Sequence, residues 1–260
     1  MCLILFALQA HAEYPLVVAA NRDEAYTRPA AAAAFWLDHP EVYGGRDLEM
    51  GGAWMGMTRS GRFAAVTNFR DGYPKGTAPR SRGDLVGGYL TSDQAAQPYL
   101  HSVAARQAQY AGFGTLAGDM NSLWFLSNYG NGVEAVTPGV HGLSNHLLDT
   151  PWPKVAGGRR DLMALLDRDA LTLPALPEKL FAMLADRCIA AADALPDTGV
   201  GIRREKELGP KFIAVDDRYG TRASTVIIVN SRGEVHYAER SFGEHGKYLS
   251  EVTQRFSLAT

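Results

Sequence analysis

Two apolar runs near the N terminus limit the fold of this 260-residue chain more than any other feature. Residues 2–9 are mostly apolar, residues 16–20 read Leu-Val-Val-Ala-Ala, and Glu13-Tyr14-Pro15 lies between them as a turn. Runs this short and this continuous are typical of strands buried on both faces. We therefore predict a hairpin of two buried strands that continues into Asn21-Arg22-Asp23-Glu24.

Further along the chain, apolar spacing indicates both strands and helices. Two more hairpins are predicted, one around Ser60-Gly61 and one around Ser231-Arg232-Gly233, because these turn residues separate strand-like runs. The predicted strands are 53–58, 62–68, 123–126, 140–145, 222–230 and 234–241, and helical spacing dominates 81–109 and 155–194. The alanine run at 30–34 is expected to form a surface turn or a short helix. Strands at both ends with helices between them favour an α+β fold class, in which helices cover two antiparallel sheets.

Composition narrows the classes of partner. The net charge is −2 and the pI is near 6.4, which gives no electrostatic reason to expect nucleic acid or an anionic membrane as partner. The first apolar run has no preceding Lys or Arg, so it is interpreted as a strand rather than an export signal. No run reaches the roughly 18 apolar residues of a membrane helix. We therefore expect a cytoplasmic protein of one domain, residues 1–260, with no integral membrane segment.

Motifs for metals and nucleotides are missing from the sequence. The two cysteines, Cys2 and Cys188, form no disulfide framework and no zinc-ligand spacing, and no metal site is predicted. Neither a Gly-x-Gly-x-x-Gly segment after the first strand nor a Walker A sequence occurs. No basic cluster marks a phosphate pocket in the linear sequence. Cys188 falls in a helical pattern over 178–192, where we expect it to be buried.

Cys2, directly behind the initiator methionine, is the leading candidate for chemistry. If Met1 is removed, Cys2 carries a free α-amine, whose pKa of about 8 suits it to act as base for its own thiol. The alternative is a small apolar residue that opens a buried strand. A processed chain that begins at Cys2 is expected, because cysteine is small enough for methionine removal.

Polar residues at the ends of the predicted strands are the other candidates. Arg22 and Asp23 end the second strand, which the hairpin brings beside Cys2. Arginine near a thiol favours the thiolate, and a carboxylate can hold a protonated amine. Asn68 and Asn145 each close an apolar strand, and a side-chain amide can stabilise a developing oxyanion. Arg222 opens a late strand. With arginines near it, the Cys2 thiol is expected to have a pKa below its ordinary value.

These residues belong to a string of blocks that resembles one known family. The blocks are Asn21-Arg22-Asp23-Glu24, Gly51-Gly52-Ala53-Trp54, Val66-Thr67-Asn68, Ser81-Arg82-Gly83, Gly142-Leu143-Ser144-Asn145, Leu148-Asp149-Thr150-Pro151-Trp152-Pro153-Lys154 and Tyr219-Gly220-Thr221-Arg222. In this order they resemble the NRDE family, also called the transport and Golgi organisation protein 2 family. The resemblance covers nearly the whole chain.

The resemblance implies a fold and a set of site residues. The family is similar to N-terminal-nucleophile hydrolases such as bile-salt hydrolases and penicillin V acylases, which implies a four-layer α-β-β-α sandwich of two antiparallel sheets. Matching positions fall on Cys2, Arg22, Asn68, Asn145 and Arg222. In those acylases two residues separate the arginine from its aspartate, whereas Asp23 follows Arg22 directly. The carboxylate that holds the amine is therefore Asp23, Glu24 or neither.

Two functions of different class follow from the resemblance. One is an amidohydrolase of linear amide or thioester bonds, in which Cys2 attacks an acyl carbonyl and no cofactor takes part. The other is a carrier for an apolar ligand, haem or an acyl lipid, in which Cys2 is a haem ligand or a bystander. Family members have been tied to Golgi organisation, lipid handling and haem trafficking. Fold alone does not separate the two, but retention of Arg22, Asn145 and Arg222 together favours chemistry on a small acyl molecule.

Overall fold

The computed structural model describes residues 2–73, 78–167 and 175–259, which contain thirteen strands and five α-helices. The strands are β1 (Cys2–Leu8), β2 (Leu16–Ala25), β3 (Ala30–Phe35), β4 (Val42–Asp47), β5 (Met55–Thr58), β6 (Phe63–Asn68), β7 (Phe113–Gly118), β8 (Leu123–Ser127), β9 (Val133–Ala135), β10 (Gly139–Leu143), β11 (Tyr219–Val229), β12 (Glu234–Phe242) and β13 (Tyr248–Ser257). The helices are α1 (Gly83–Leu90), α2 (Ala96–Ala104), α3 (Pro153–Leu166), α4 (Leu176–Leu184) and α5 (Ile202–Leu208). No helix in these ranges is long and apolar enough to cross a membrane.

The strands form two antiparallel sheets. The first has the order β10-β1-β2-β11-β12-β13 and the second the order β3-β4-β5-β6-β7-β8-β9. The predicted N-terminal hairpin is confirmed, with Cys2 opposite Arg22 and Leu8 opposite Leu16. This register carries the polar end of β2 to the first residue of β1, as the sequence predicted.

Alternation along β1 and β2 separates the two faces of the first sheet. Ile4, Phe6 and Val18 face the second sheet and pack in the core between the sheets. Leu3 and Leu5 face the other way, into the core beneath α3 and α4. Helices α1 and α2 cover the outer face of the second sheet. The predicted α+β class and four-layer α-β-β-α sandwich are therefore confirmed, and the continuous apolar runs arise because both faces are buried.

The prediction for the alanine run was wrong. Residues 30–34 form most of β3, an edge strand of the second sheet, and not a turn or a helix. The backbone N–H of Ala33 donates a 2.8 Å hydrogen bond to the buried Glu239 carboxylate, which belongs to the first sheet. Tertiary pairing thus overrides the weak strand preference of alanine.

The helical prediction over 155–194 was only partly right. Residues 155–166 lie in α3, 168–174 lie outside the described residues, and α4 ends at Leu184. Beyond α4, the Asp186 carboxylate accepts a 2.9 Å hydrogen bond from the Cys188 N–H. Such a side-chain bond competes with helical hydrogen bonding. Cys188 is therefore exposed, which corrects the expectation that it is buried.

One close backbone contact sets the position of α1. A methyl group added at Gly52 would lie 2.6–2.8 Å from backbone atoms of Gly83, the first residue of α1. Backbone cannot move aside as a side-chain end can, so Gly52→Ala is expected to lower the free energy of unfolding by about 1–3 kcal/mol. Urea denaturation measures this change.

The matched control is Gly87, which lies within α1. A methyl group at Gly87 meets only Trp36, at an ordinary 3.8 Å. Gly87→Ala should therefore raise the free energy of unfolding by up to about 1 kcal/mol, through helix propensity. Equal stability of the two variants would contradict the proposed clash.

Candidate active site

A cleft of about 780 Å³ lies at the end of the first sheet where β1 begins. Cys2 is in its wall and only 8% exposed. Asn68, at the end of β6, and Arg82, just before α1, line the same cleft from the second sheet and its helix. The cleft therefore lies between the two sheets, with the thiol at its margin.

The Cys2 thiol is more strongly buried than the sequence indicated. Burial raises its pKa above the ordinary value, although the Arg22 guanidinium and the backbone N–H of Asp23 act in the opposite direction. The prediction of a lowered pKa was therefore wrong for this state of the chain. Loss of hydration outweighs one nearby arginine, which itself lies 3.7 Å from the Asp47 carboxylate.

Arg22 and Asp23 point to opposite faces of β2, as adjacent strand residues must. Both residues border the cleft, but the Asp23 carboxylate is buried and accepts a 2.7 Å hydrogen bond from the Thr221 hydroxyl. Burial raises the pKa of Asp23. Glu24 is partly exposed and accepts from the N–H of the next residue. Of the two carboxylates, Asp23 is thus the one buried beside the start of β1.

Asn68 and Asn145 form a pair in which each has a different role. The Asn145 side-chain amide donates to the side-chain oxygen of Asn68 at 2.9 Å and to its backbone oxygen at 3.2 Å. Asn145 is fully buried and has a left-handed backbone (φ 58°), whereas Asn68 lines the cleft. The geometry therefore leaves the Asn68 amide N–H₂ as the donor toward the cleft, with Asn145 fixing its orientation.

Arg222 is held by backbone carbonyls. It sits at a bulge where the pairing of β11 with β2 shifts between Thr221 and Ala223. Its guanidinium donates to the carbonyl oxygens of Ala25 and Arg28. Arg222 thus lines the same cleft as Cys2 but also supports the segment that follows β2.

The cleft is strongly basic, although no basic cluster marks a phosphate pocket along the sequence. Four acidic side chains line it beside seven arginines: Arg22, Arg28, Arg46, Arg80, Arg82, Arg204 and Arg222. In the described part of the chain, Arg82 and Arg222 have no carboxylate within 4.0 Å. These arginines come from distant segments, so only the fold brings them together.

Sequence reasoning missed Arg82 and a buried charged group behind Cys2. The charge of a Cys2 thiolate acts on Arg82 and opposes the lowering of its pKa by burial. On the helix side of the sheet, Lys154 is buried with the Arg70–Glu205 ion pair, whose closest atoms are 2.5 Å apart. Arg82 and Lys154 do occur in the family-like blocks, which was the one signal available for them.

Asn21 has a structural role. Its side-chain amide donates to the backbone oxygens of Leu184 and Lys211 at 3.0 and 2.8 Å, and its oxygen accepts from the Ser224 hydroxyl at 2.6 Å. These bonds tie β2 to the end of α4 and to β11. Within residues 2–73, 78–167 and 175–259 there is no cluster of three or more His, Cys, Asp or Glu side chains arranged to hold a metal ion.

Comparison with known proteins identifies the family. The sequence profile of Transport and Golgi organisation 2 matches residues 1–244. The Transport and Golgi organization protein 2 homolog of Bos taurus is 38% identical over 99% of both chains, and the Drosophila melanogaster protein is 27% identical over 95% of both. Among solved structures, a mutant conjugated bile acid hydrolase from Clostridium perfringens has a TM-score of 0.49 at 9% identity, over 99% of this chain and 92% of that one. The chain belongs to the Transport and Golgi organisation 2 family.

Proposed function

We propose that this protein is an N-terminal-cysteine amidohydrolase that cleaves an amide or thioester bond of an anionic acyl substrate. The observation that carries the proposal is the meeting of Cys2, Asn68 and Asp23 at the open end of β1. A nucleophile, an oxyanion donor and a carboxylate for the amine are the groups that such chemistry needs.

The reaction follows from the roles of these groups. After Met1 is removed, the α-amine of Cys2 takes the thiol proton, and the thiolate sulfur forms a bond to the acyl carbonyl carbon. Asn68 donates to the oxyanion, and Asp23 holds the α-ammonium. The ammonium proton passes to the leaving amine as the C–N bond breaks, and water then hydrolyses the thioester to the acid and the free thiol. Activation of the thiol thus depends on an amine that processing exposes.

The basic cleft supports an anionic substrate. Arg82 and Arg222 have no carboxylate within 4.0 Å among the described residues, so no salt bridge neutralises their charges, which favours a substrate with a carboxylate or phosphate group. The volume of about 780 Å³ is large enough for a small acyl molecule. Substrate preference is therefore expected to follow charge.

The test compares a chain that begins at Cys2 with one that keeps Met1. Insertion of lysine between Met1 and Cys2 blocks methionine removal, and intact mass establishes each N terminus. We expect N-acyl probes to be hydrolysed only by the processed chain, since the extra residues displace the amine. A probe with a carboxylate should react faster than its neutral methyl ester. Equal turnover by both chains would contradict the amine as base.

The carrier function is the second candidate. Burial raises the pKa of the Cys2 thiol, which disfavours the reactive thiolate and suits a residue that does not react. A carrier for haem or an acyl lipid should show no turnover on any acyl probe. Haem titration should then give a shifted Soret band at near-stoichiometric ratio, and loss of that shift in Cys2→Ala would identify the thiolate as ligand.

A further inference from the structure

Lys154 is a buried ammonium with little compensation for its burial. It lies in the first turn of α3, is 5% exposed, and its Nζ donates one hydrogen bond, to the backbone oxygen of Leu208 at 3.0 Å. No carboxylate of the described residues lies within 4.0 Å of Nζ. Burial of a cation without an ion-pair partner is costly, and the positive end of a helix dipole adds to the cost. Stability of the fold therefore does not explain why a lysine occupies position 154.

The place of Lys154 in the fold suggests a reason. Helix α3 packs on β1 and β10, on the helix-covered face of the first sheet. The packing is close, because a methyl group added at Gly158 of α3 would lie 2.5 Å from Leu5 Cδ1 of β1. Asp23 is buried on the same face. The charged and titratable groups around this point are Cys2 on β1, Asp23 on β2, Arg70 after β6, Glu205 on α5 and Tyr219 on β11.

The charges of these groups are linked. The Lys154 ammonium opposes the rise in pKa that burial causes in Asp23. Burial and the neighbouring Arg70 in turn lower the pKa of Lys154 to about 8. Arg70 forms an ion pair with Glu205. Of the described side-chain cations whose charge acts on Asp23, Lys154 is therefore the one without a salt bridge.

We propose that Lys154 is a positioning residue whose ammonium keeps the buried Asp23 carboxylate ionised, so that Asp23 can hold the Cys2 α-ammonium. This inference rests on the proposed use of the Cys2 amine as base. When the thiol proton moves to the amine, the Lys154 ammonium and the α-ammonium are balanced by the Asp23 carboxylate and the Cys2 thiolate, beside the Arg70–Glu205 ion pair. Without the charge of Lys154, Asp23 favours its neutral form, the α-ammonium loses its partner, and the thiolate forms only at higher pH.

The test measures the thiol directly. In a Cys188→Ser background, Cys2 is the sole thiol of the chain, and intact mass selects material that begins at Cys2. The rate of iodoacetamide modification is followed from pH 5 to 10. For Lys154→Met we expect the midpoint to rise by about one pH unit, which makes modification roughly tenfold slower at pH 7. Lys154→Arg should keep the midpoint near that of the parent protein, because the charge is retained.

Controls separate this role from a structural one. Lys211→Met removes another buried lysine, one paired with Asp161 and Asp186, and should leave the midpoint unchanged. Lys154→Met should not lower the Tm, since it replaces an uncompensated buried charge by an apolar chain. In an Asp23→Asn background, Lys154→Met should add no further shift, because Lys154 acts through Asp23.

Three results would overturn the inference: an unchanged midpoint in Lys154→Met, an equal shift in Lys211→Met, or a full additional shift in the Asp23→Asn background. The readout requires no substrate. The shift can therefore appear although every acyl probe fails, and probes can be hydrolysed although the shift is missing, so the inference and the proposed function fail independently.

Discussion

Cys2→Ala is expected to lower kcat/KM for hydrolysis of N-acyl probes by at least about 10⁴-fold, because it removes the atom that bonds to the acyl carbon. The free energy of unfolding should change by no more than about 1 kcal/mol, since only one sulfur atom is deleted at a buried strand end. Hydrolysis by purified, mass-verified protein and urea denaturation measure the two effects.

The second cysteine provides the matched control. Cys188→Ala alters an exposed thiol outside the cleft and should leave kcat/KM unchanged. Turnover that survives Cys2→Ala would exclude the proposed nucleophile. Loss of turnover in both variants would indicate a preparation effect and not chemistry at Cys2.

Asn68→Ala is expected to slow the same reaction by about 10²–10³-fold, the range found when one oxyanion donor is deleted. The loss should appear in kcat rather than KM, because the donor contacts charge that develops only in the transition state. Steady-state kinetics with the carboxylate probe make this separation.

Asn145 tests the pairing seen in the structure. Its amide holds the Asn68 carboxamide at 2.9 Å, so Asn145→Ala should slow the reaction through Asn68, and the double variant should be no slower than Asn68→Ala alone. Asn121, exposed in the turn between β7 and β8, is the control, and Asn121→Ala should have no effect. Multiplied losses in the double variant would mean that both amides contact the oxyanion.

Local pattern was sufficient for the parts of the fold that are buried on both faces. Residues 2–9 and 16–20 are continuous apolar runs, and their hairpin places Cys2 opposite Arg22 in the observed register. The alanine run at 30–34 failed as a local signal, because its strand depends on pairing with β4 and on Glu239 from the other sheet. The prediction that Cys188 is buried in a helix was wrong because α4 ends at Leu184, although the helical spacing of the sequence continues. The Cys188 N–H donates to the Asp186 carboxylate instead of to a helical carbonyl.

The electrostatics of the site could not be predicted from spacing. Arg82 and Arg204 are more than 100 positions apart in the sequence and meet only across the folded cleft. Lys154 lies just before the predicted helical spacing of 155–194, and its burial follows only from the docking of α3 on β1. Residue types and strand order alone thus placed Cys2 beside its nearest polar neighbours, whereas the charge of the cleft required tertiary structure.

The opposite orientation of Arg22 and Asp23 places their charges on the two faces of the first sheet. The Arg22 guanidinium belongs to the arginine-lined cleft between the sheets, whereas the Asp23 carboxylate lies on the helix side of the first sheet, where the Thr221 hydroxyl donates to it and Lys154 is buried. Under the proposed mechanism, substitution of the cleft arginines can therefore change which substrate charge the cleft accepts while the contacts of Asp23 and Lys154 stay in place. Conversely, substitutions beneath α3 can shift the working pH of the proposed reaction while the arginines of the cleft are kept.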